Sequence, residues 1–484
     1  MLGSLDVTSP STSEGHAPVL IQGGMGVAVS SWRLAGTVSA LGHLGVVSGT
    51  ALDVVLARRL QLGDPGGDIR RALAAFPDHD AAREVLERYF VPGGKPQDSP
   101  FTSVPMFAAR PSRRLQALAM IGGFVEVFLA KEGHGGCVGI NFLQKVQLPT
   151  PAILYGALLA GVDYVLVGAG IPREIPGLLD RLVQHERAEV PLYVADALPD
   201  DRFTLTFDPS TLLAKGLPPL RRPRFLAIVS SATLAASLSR HGDGIDGFVV
   251  ENHTSGGHNA PPRGRLTLSA TGEPSYGPRD VVDLERMREI GLPFWLAGGS
   301  ASPEGIAEAR QSGAAGIQVG TLFAFCEEAG VEAGLRREVL ARIRSGTAHV
   351  VTDPLASPTG FPFKVVHVPG TLSDAAVYES RTRRCDLGYL REAYRRPDGT
   401  LGYRCPGEPV DDYVRKGGRI EETSGRKCIC NGLLGTVGLG QRREAVAEPP
   451  IVTAGAGLLE IGRLLRDRDS YSAADVVTYL TSGY

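Results

Sequence analysis

Eight short apolar runs, many closing on glycine, constrain this chain more than any other feature. They are Val19–Gly24, Leu44–Gly49, Val138–Phe142, Asp163–Gly168, Phe225–Val229, Gly247–Glu251, Pro293–Gly298 and Gly316–Gly320. Their residues are apolar at nearly every position rather than at every second one. Such runs are strands buried on both faces, as in parallel sheets. Helix-like segments lie between most of them. In one, Ser302 suits an N-cap, Pro303 the first helical position, Glu304 the first turn and Gly313 the stop. The alternation predicts an α/β fold, a (β/α)8 TIM barrel, with a doubly wound sheet as the alternative. The barrel is preferred because ligand-type residues follow strands from the first to the last. A barrel gathers all those strand ends on one face.

The 484 residues exceed what one barrel needs. The barrel is expected over 18–350, with insertions near 62–130 and 188–222. The second insertion is expected to hold a strand pair, Leu192–Ala195 with Phe203–Phe207. Residues 351–484 read as a C-terminal appendage. Residues 1–17 read as a flexible tail, because they are Ser/Thr/Gly-rich and lack the apolar centre of a signal peptide. A net charge of −2 and 43% hydrophobic residues describe a packed, soluble chain. They leave no footprint for nucleic acid, and no Lys/Arg run marks a membrane surface. No apolar stretch reaches the ~18 residues of a membrane span. The expected location is cytoplasmic, and homo-oligomerisation is left open.

The chemistry gathers at strand ends. Val249-Val250-Glu251 runs through Asn252-His253-Thr254-Ser255 into Gly256-Gly257-His258. The glycines let backbone pass close to a ligand, and His258 arrives beside it as a catalytic acid or base. The structural alternative is a turn histidine packed on the barrel rim. Gln22-Gly23-Gly24-Met25-Gly26 follows the first strand, where glycines free backbone N–H groups for a planar ligand; an ordinary tight turn is the alternative. Asn141 follows the third strand with an amide that suits a ring edge or a cap. Ala297-Gly298-Gly299-Ser300 and Val319-Gly320-Thr321 follow the seventh and eighth strands, the usual place of a barrel's phosphate site. A phosphate there, with glycine-lined space at the first strand, implies a phosphorylated planar cofactor, which FMN fits better than a free sugar phosphate. The expected cofactor contacts are Gln22, Gly23, Gly24, Met25, Asn141, Gly257, Gly298, Gly299, Gly320 and Thr321, with His258 catalytic.

Taken in order, Ile21-Gln22-Gly23-Gly24-Met25, Gly139-Ile140-Asn141, Gly256-Gly257-His258, Ala297-Gly298-Gly299 and Gln318-Val319-Gly320-Thr321 resemble the nitronate monooxygenase superfamily. That group also contains flavin enoyl reductases of fatty-acid and polyketide synthesis. The resemblance covers residues 17–370 and implies FMN on a (β/α)8 barrel, with His258 acting at the substrate. It implies one of two reactions. A nitronate is oxidised with O2, or an enoyl thioester is reduced at the expense of NAD(P)H. A strand followed by a Rossmann glycine fingerprint is not evident. A non-catalytic flavin redox sensor is a third reading. Nitronate-oxidising members usually carry Glu-Ala-Gly-Gly-His, whereas Thr254-Ser255 stands here and Glu251 lies upstream. His253 reads as structural or as a group behind the site. Lys364 lies where the family folds a loop over the flavin, so it reads either as a phosphate or carboxylate contact or as a solvated lysine.

Six cysteines in this length are no disulfide framework. Cys137 and Cys326 read as packed thiols. Cys385, Cys405, Cys428 and Cys430 cluster in the appendage without a histidine, so a metal there would be held by thiolates alone. A [4Fe–4S] cluster or Zn2+ is expected, against four unrelated thiols. The spacing is not that of a zinc ribbon.

Overall fold

All eight apolar runs become strands of one closed parallel barrel. They are β1 (Leu20–Gln22), β2 (Leu44–Ser48), β3 (Val138–Leu143), β4 (Tyr164–Gly168), β5 (Arg224–Val229), β6 (Gly247–Glu251), β7 (Phe294–Ala297) and β8 (Gly316–Val319). Neighbours in sequence are neighbours in the barrel, and β8 closes on β1 through Leu20–Ile317, Ile21–Gln318 and Gln22–Val319. The computed structural model describes residues 17–213, 216–241, 244–444 and 446–483. The expected N-terminal tail, apart from Ala17, lies outside the described residues.

The two-faced burial read from the sequence has a direct cause. Ile21, Val46, Leu166, Leu226, Val249 and Trp295 fill the barrel interior as a cluster of their own. Their strand neighbours Leu20, Val47, Val165, Ala227, Val250 and Phe294 turn outward and pack in the layer beneath the helices. Successive side chains of a strand point to opposite faces, so burying both requires an unbroken apolar run. Each large side chain so buried contributes roughly 1.5–3 kcal/mol. Trp295 seals the barrel floor, its indole N–H donating to the Pro18 carbonyl at 2.6 Å.

The helix expected to begin at Pro303 spans Gly305–Gln311, and Ser302 contributes its carbonyl to Gly305 rather than a side-chain cap. Gly313 ends that turn at φ +88°. The first insertion forms three helices, Asp68–Ala74, His79–Tyr89 and Arg113–Lys131. The longest of them crosses Thr150–Leu159 at glycines. A Cβ on Gly123 would strike the Ile153 carbonyl, and one on Gly156 the Met120 carbonyl, so the two backbones touch.

The hairpin of the second insertion differs from expectation. It pairs Ala188–Pro191 with Thr204–Phe207, not Leu192–Ala195 with the second strand. Buried Ala188 and Val190 alternate with exposed Glu189 and Pro191, and this sets the register. Ala195 instead bridges to Tyr394.

Residues beyond 350 share the barrel's hydrophobic core through Phe363, Leu434, Ile451, Leu464 and Leu480. The last helix, Ala473–Thr481, is capped by Ser472 and packs on helix Trp32–Ala40 near β1. Among the described residues no helix is long and apolar enough to cross a membrane.

Candidate active site

The carboxyl ends of the strands open on a large cavity of about 1780 Å3, counting its mouth. Its walls include Gly23, Gly24 and Met25 after β1, Asn141 of β3, Gly257 and His258 after β6, Gly298 and Gly299 after β7, and Gly320 and Thr321 after β8. Ten of the eleven candidate residues therefore meet around one space. Gln22 is the exception, fully buried behind the wall. Its amide donates to Ser30 Oγ at 2.9 Å and to the Gly23 carbonyl, and accepts from the Val46 N–H at 3.0 Å. Every hydrogen-bonding atom of that side chain is used in holding the turn, so none is left for a ligand. Ser30 completes the brace by accepting from the Met25 N–H and donating to the Gly23 carbonyl, both at 2.9 Å.

The glycines shape the wall by what they lack. A Cβ on Gly24 would overlap that of Asn141. Gly298 and Gly299 stand at φ +84° and +76°, a region L side chains rarely adopt. Gly298 is held by Asn252, whose Nδ2 donates to its carbonyl at 3.1 Å. Asn252 Oδ1 also accepts from the Thr254 N–H at 2.8 Å and the Thr254 hydroxyl at 2.6 Å. One asparagine thus ties the loop after β7 to the turn that carries His258. The sequence reading passed over Asn252, though an Asx turn directly after a strand is a local signal for it.

A strap from the C-terminal region closes one side of the cavity. Thr453 Oγ1 accepts from the Gly257 N–H at 2.9 Å, Thr321 Oγ1 accepts from the Gly455 N–H at 2.8 Å, and the Ala456 N–H donates to the Thr254 carbonyl at 2.8 Å. Residues 453–456 therefore pin the His258 turn and the loop after β8 together.

His258 is half-buried in the wall. Its Nε2 lies 2.7 Å from Ser357 Oγ, and its ring meets Phe363 edge-on at 4.8 Å. The backbone of the turn pairs with residues 362–364, the Lys364 N–H donating to the Gly257 carbonyl at 2.9 Å. Burial, with the Lys145 cation adding to it, pushes the His258 imidazole down to about 3. The ring is uncharged across the physiological range. Lys145, its ammonium 3.0 Å from the Phe361 ring centre, is pushed down to about 8 by burial. It keeps its charge at neutral pH. Lys364 is neither a cavity ligand nor solvated; it is buried, and its Nζ donates to Thr352 Oγ1 at 2.6 Å. His253 stacks on Tyr276 at 4.2 Å in the wall of a second cavity.

Glu251 and His258 stand in the wall common to both cavities. Burial raises the Glu251 carboxyl to about 7, with the Ser255 hydroxyl opposing. The folded state therefore holds this proton more tightly than the unfolded chain, whose value is near 4.5. Stability contributed by the proton is complete below about pH 4.5 and is lost as pH rises through 7. Glu251→Gln removes the effect. We expect the variant to gain on the wild type by on the order of 2 kcal/mol between pH 4.5 and pH 8. Urea unfolding of both proteins at the two pH values measures it, and a constant difference would contradict the raised carboxyl.

All six cysteines are free thiols, Cys326 buried as expected but Cys137 exposed. Among the described residues no three His, Cys, Asp or Glu side chains converge as ligands of one metal ion. Cys385, Cys405, Cys428 and Cys430 do line one small cavity together.

Residues 222–352 match the family described as nitronate monooxygenase. The matched segment holds β5 to β8, Glu251, the His258 turn and both loops of the expected phosphate site. A probable nitronate monooxygenase of Staphylococcus haemolyticus is 28% identical over 135 residues, 28% of this chain and 36% of the relative. This chain thus spans about a third of that relative's length. Among solved structures, FabK from Thermotoga maritima is 15% identical with a TM-score of 0.47, covering 96% of this chain and 92% of its own. A nitroalkane oxidase from Streptomyces ansochromogenes is 14% identical with a TM-score of 0.46, covering 97% and 96%. The enoyl reductase domain of MlnA from Bacillus amyloliquefaciens is 12% identical with a TM-score of 0.47, covering 96% and 93%.

Proposed function

We propose that this protein is an FMN-dependent oxidoreductase of the nitronate monooxygenase kind, oxidising a nitronate with O2. The observation that carries the proposal is an uncharged His258 set in the wall of a glycine-sided cavity at the barrel mouth. The cavity suits a planar, phosphorylated ring system. Gln318 presents a buried amide oxygen without a partner, matched to a ring N–H. Gly23 and Gly24 leave a flat wall, and the backbone of Gly298, Gly299 and Gly320 with Thr321 suits a phosphate. When bound, FMN would supply the electron-accepting centre.

The residues of the chain divide the remaining work. The neutral imidazole of His258 orients the nitronate at its reacting carbon by hydrogen bonding, since a nitronate has already lost the proton beside its nitro group. Ser357 fixes its ring. Lys145 offsets negative charge near His258, which favours an anionic substrate. Glu251, titrating near neutrality, is the proton carrier in the same wall.

Reduction of an enoyl thioester with NAD(P)H is the second reading, and one observation favours it. The second cavity continues from the Glu251–His258 wall past Ile171, Leu234 and Pro261, which gives room for a long acyl substrate. At neutral pH Glu251, rather than the uncharged His258, would then be the proton donor. Parallel assays separate the two. Oxygen uptake with alkyl nitronates is expected to exceed NAD(P)H oxidation with enoyl thioesters. The reverse ranking would replace the first reading by the second.

A further inference from the structure

The four cysteines beyond residue 350 occupy one place although they reach it from three. Cys385 lies in the coil before Leu387, Cys405 follows the hairpin Glu392–Arg395/Leu401–Arg404, and Cys428 and Cys430 stand at the start of helix Ile429–Thr436. All four line a single small cavity. Its other walls are mainly apolar, from Pro358, Leu387, Leu390 and Ile429, with Arg391 as a cation. Packing alone gives no reason to gather four thiols, since a thiol packs no better against thiols than against aliphatic groups. Asn431 supports the reading of a ligand site. Fully buried, it donates from Nδ2 to Cys428 Sγ at 3.5 Å and to Asp386 Oδ1 at 2.8 Å, and its Oδ1 has no partner. An N–H group aimed at a sulfur is how proteins orient and tune thiolate ligands.

We propose that Cys385, Cys405, Cys428 and Cys430 hold an iron–sulfur cluster. A single zinc ion draws its sulfurs to about 2.3 Å from one point. A four-iron cluster places one metal atom against each thiolate, so its cysteines surround a volume rather than a point. Arg391 offsets the negative charge that ligating thiolates bring. Leu390, Ile429 and Cys430 also line the large cavity, so the two sites share a wall. The assignment rests on the cysteines and does not depend on the flavin reading.

The test uses the full chain, expressed with added iron, purified without oxygen and reconstituted with ferrous iron and sulfide. Iron, acid-labile sulfide, zinc and flavin are measured on the same sample. About four iron and four sulfide per chain are expected. Cys405→Ser and Cys428→Ser should each lose more than half of the iron, with flavin content unchanged. Zinc in place of iron, no metal after reconstitution, or wild-type iron in both variants overturns the cluster. If the variants fail to fold, the wild type still decides, since a reduced cluster gives a paramagnetic resonance signal that free thiols and zinc do not. Iron without flavin would support the cluster while sinking the flavin reading; flavin without iron would do the opposite.

Discussion

His258→Ala should lower kcat by about 10²–10⁴-fold while leaving the cofactor in place. The two effects separate because the imidazole takes no part in building the glycine walls. The His258 turn is held by backbone bonds to Thr453 and Lys364 and by the Asn252 brace, and an alanine leaves those bonds intact. The variant should therefore bind flavin like the wild type and differ in turnover. Ser357→Ala should act through His258, with a smaller loss in kcat and a change in its pH profile, since Ser357 touches only the ring's Nε2 on that side. Steady-state kinetics with flavin content measured on each preparation checks both. Unchanged turnover in His258→Ala would remove this residue from the mechanism.

Gly298→Ala should empty the cavity of flavin while the barrel stays folded. Its Cβ would lie 2.5 Å from Asn252 Oδ1, 2.7 Å from Ser255 Oγ and 2.8 Å from Thr254 Oγ1. None of these is the free end of a flexible chain, and the Asn252 amide is tied at both ends. The left-handed backbone adds about 1–2 kcal/mol and the overpacking about 1–3 kcal/mol. Relieving them by moving the loop after β7 would weaken flavin binding about 10- to 1000-fold. Gly291→Ala, outside the cavity wall, is the control. It has φ +77° but open space where its Cβ would go, so it carries the backbone cost without the collision. Flavin titration of the stripped proteins, with circular dichroism to confirm the fold, ranks the three. Equal affinity for Gly298→Ala and wild type would contradict the placement of the phosphate.

The barrel was legible because its physics is local. A strand buried on both faces needs an apolar residue at nearly every position, and β2 and β4 show this as plainly in sequence as in space. Strand-end glycines marked the cavity for the same reason, since a left-handed turn such as Gly298-Gly299 has few other residues to use. Gln22 misled because a polar residue at a strand end looks the same whether it faces a ligand or braces a loop. Only the positions of Ser30 and Val46 tell the two apart. Ser357, the strap at 453–456 and the convergence of four cysteines come from long-range packing with no periodic trace. The hairpin of the second insertion was misplaced because Leu192–Ala195 is as apolar as the true strand, and the alternation that decides its register is only a few residues long.

Extraction of bound flavin from the purified full-length protein, with the visible spectrum taken before and after, tests the central claim most directly. The account predicts flavin absorption in the native protein, or after incubation with FMN, and FMN rather than FAD in the extract at close to one per chain. A colourless protein that takes up no FMN on reconstitution would contradict it.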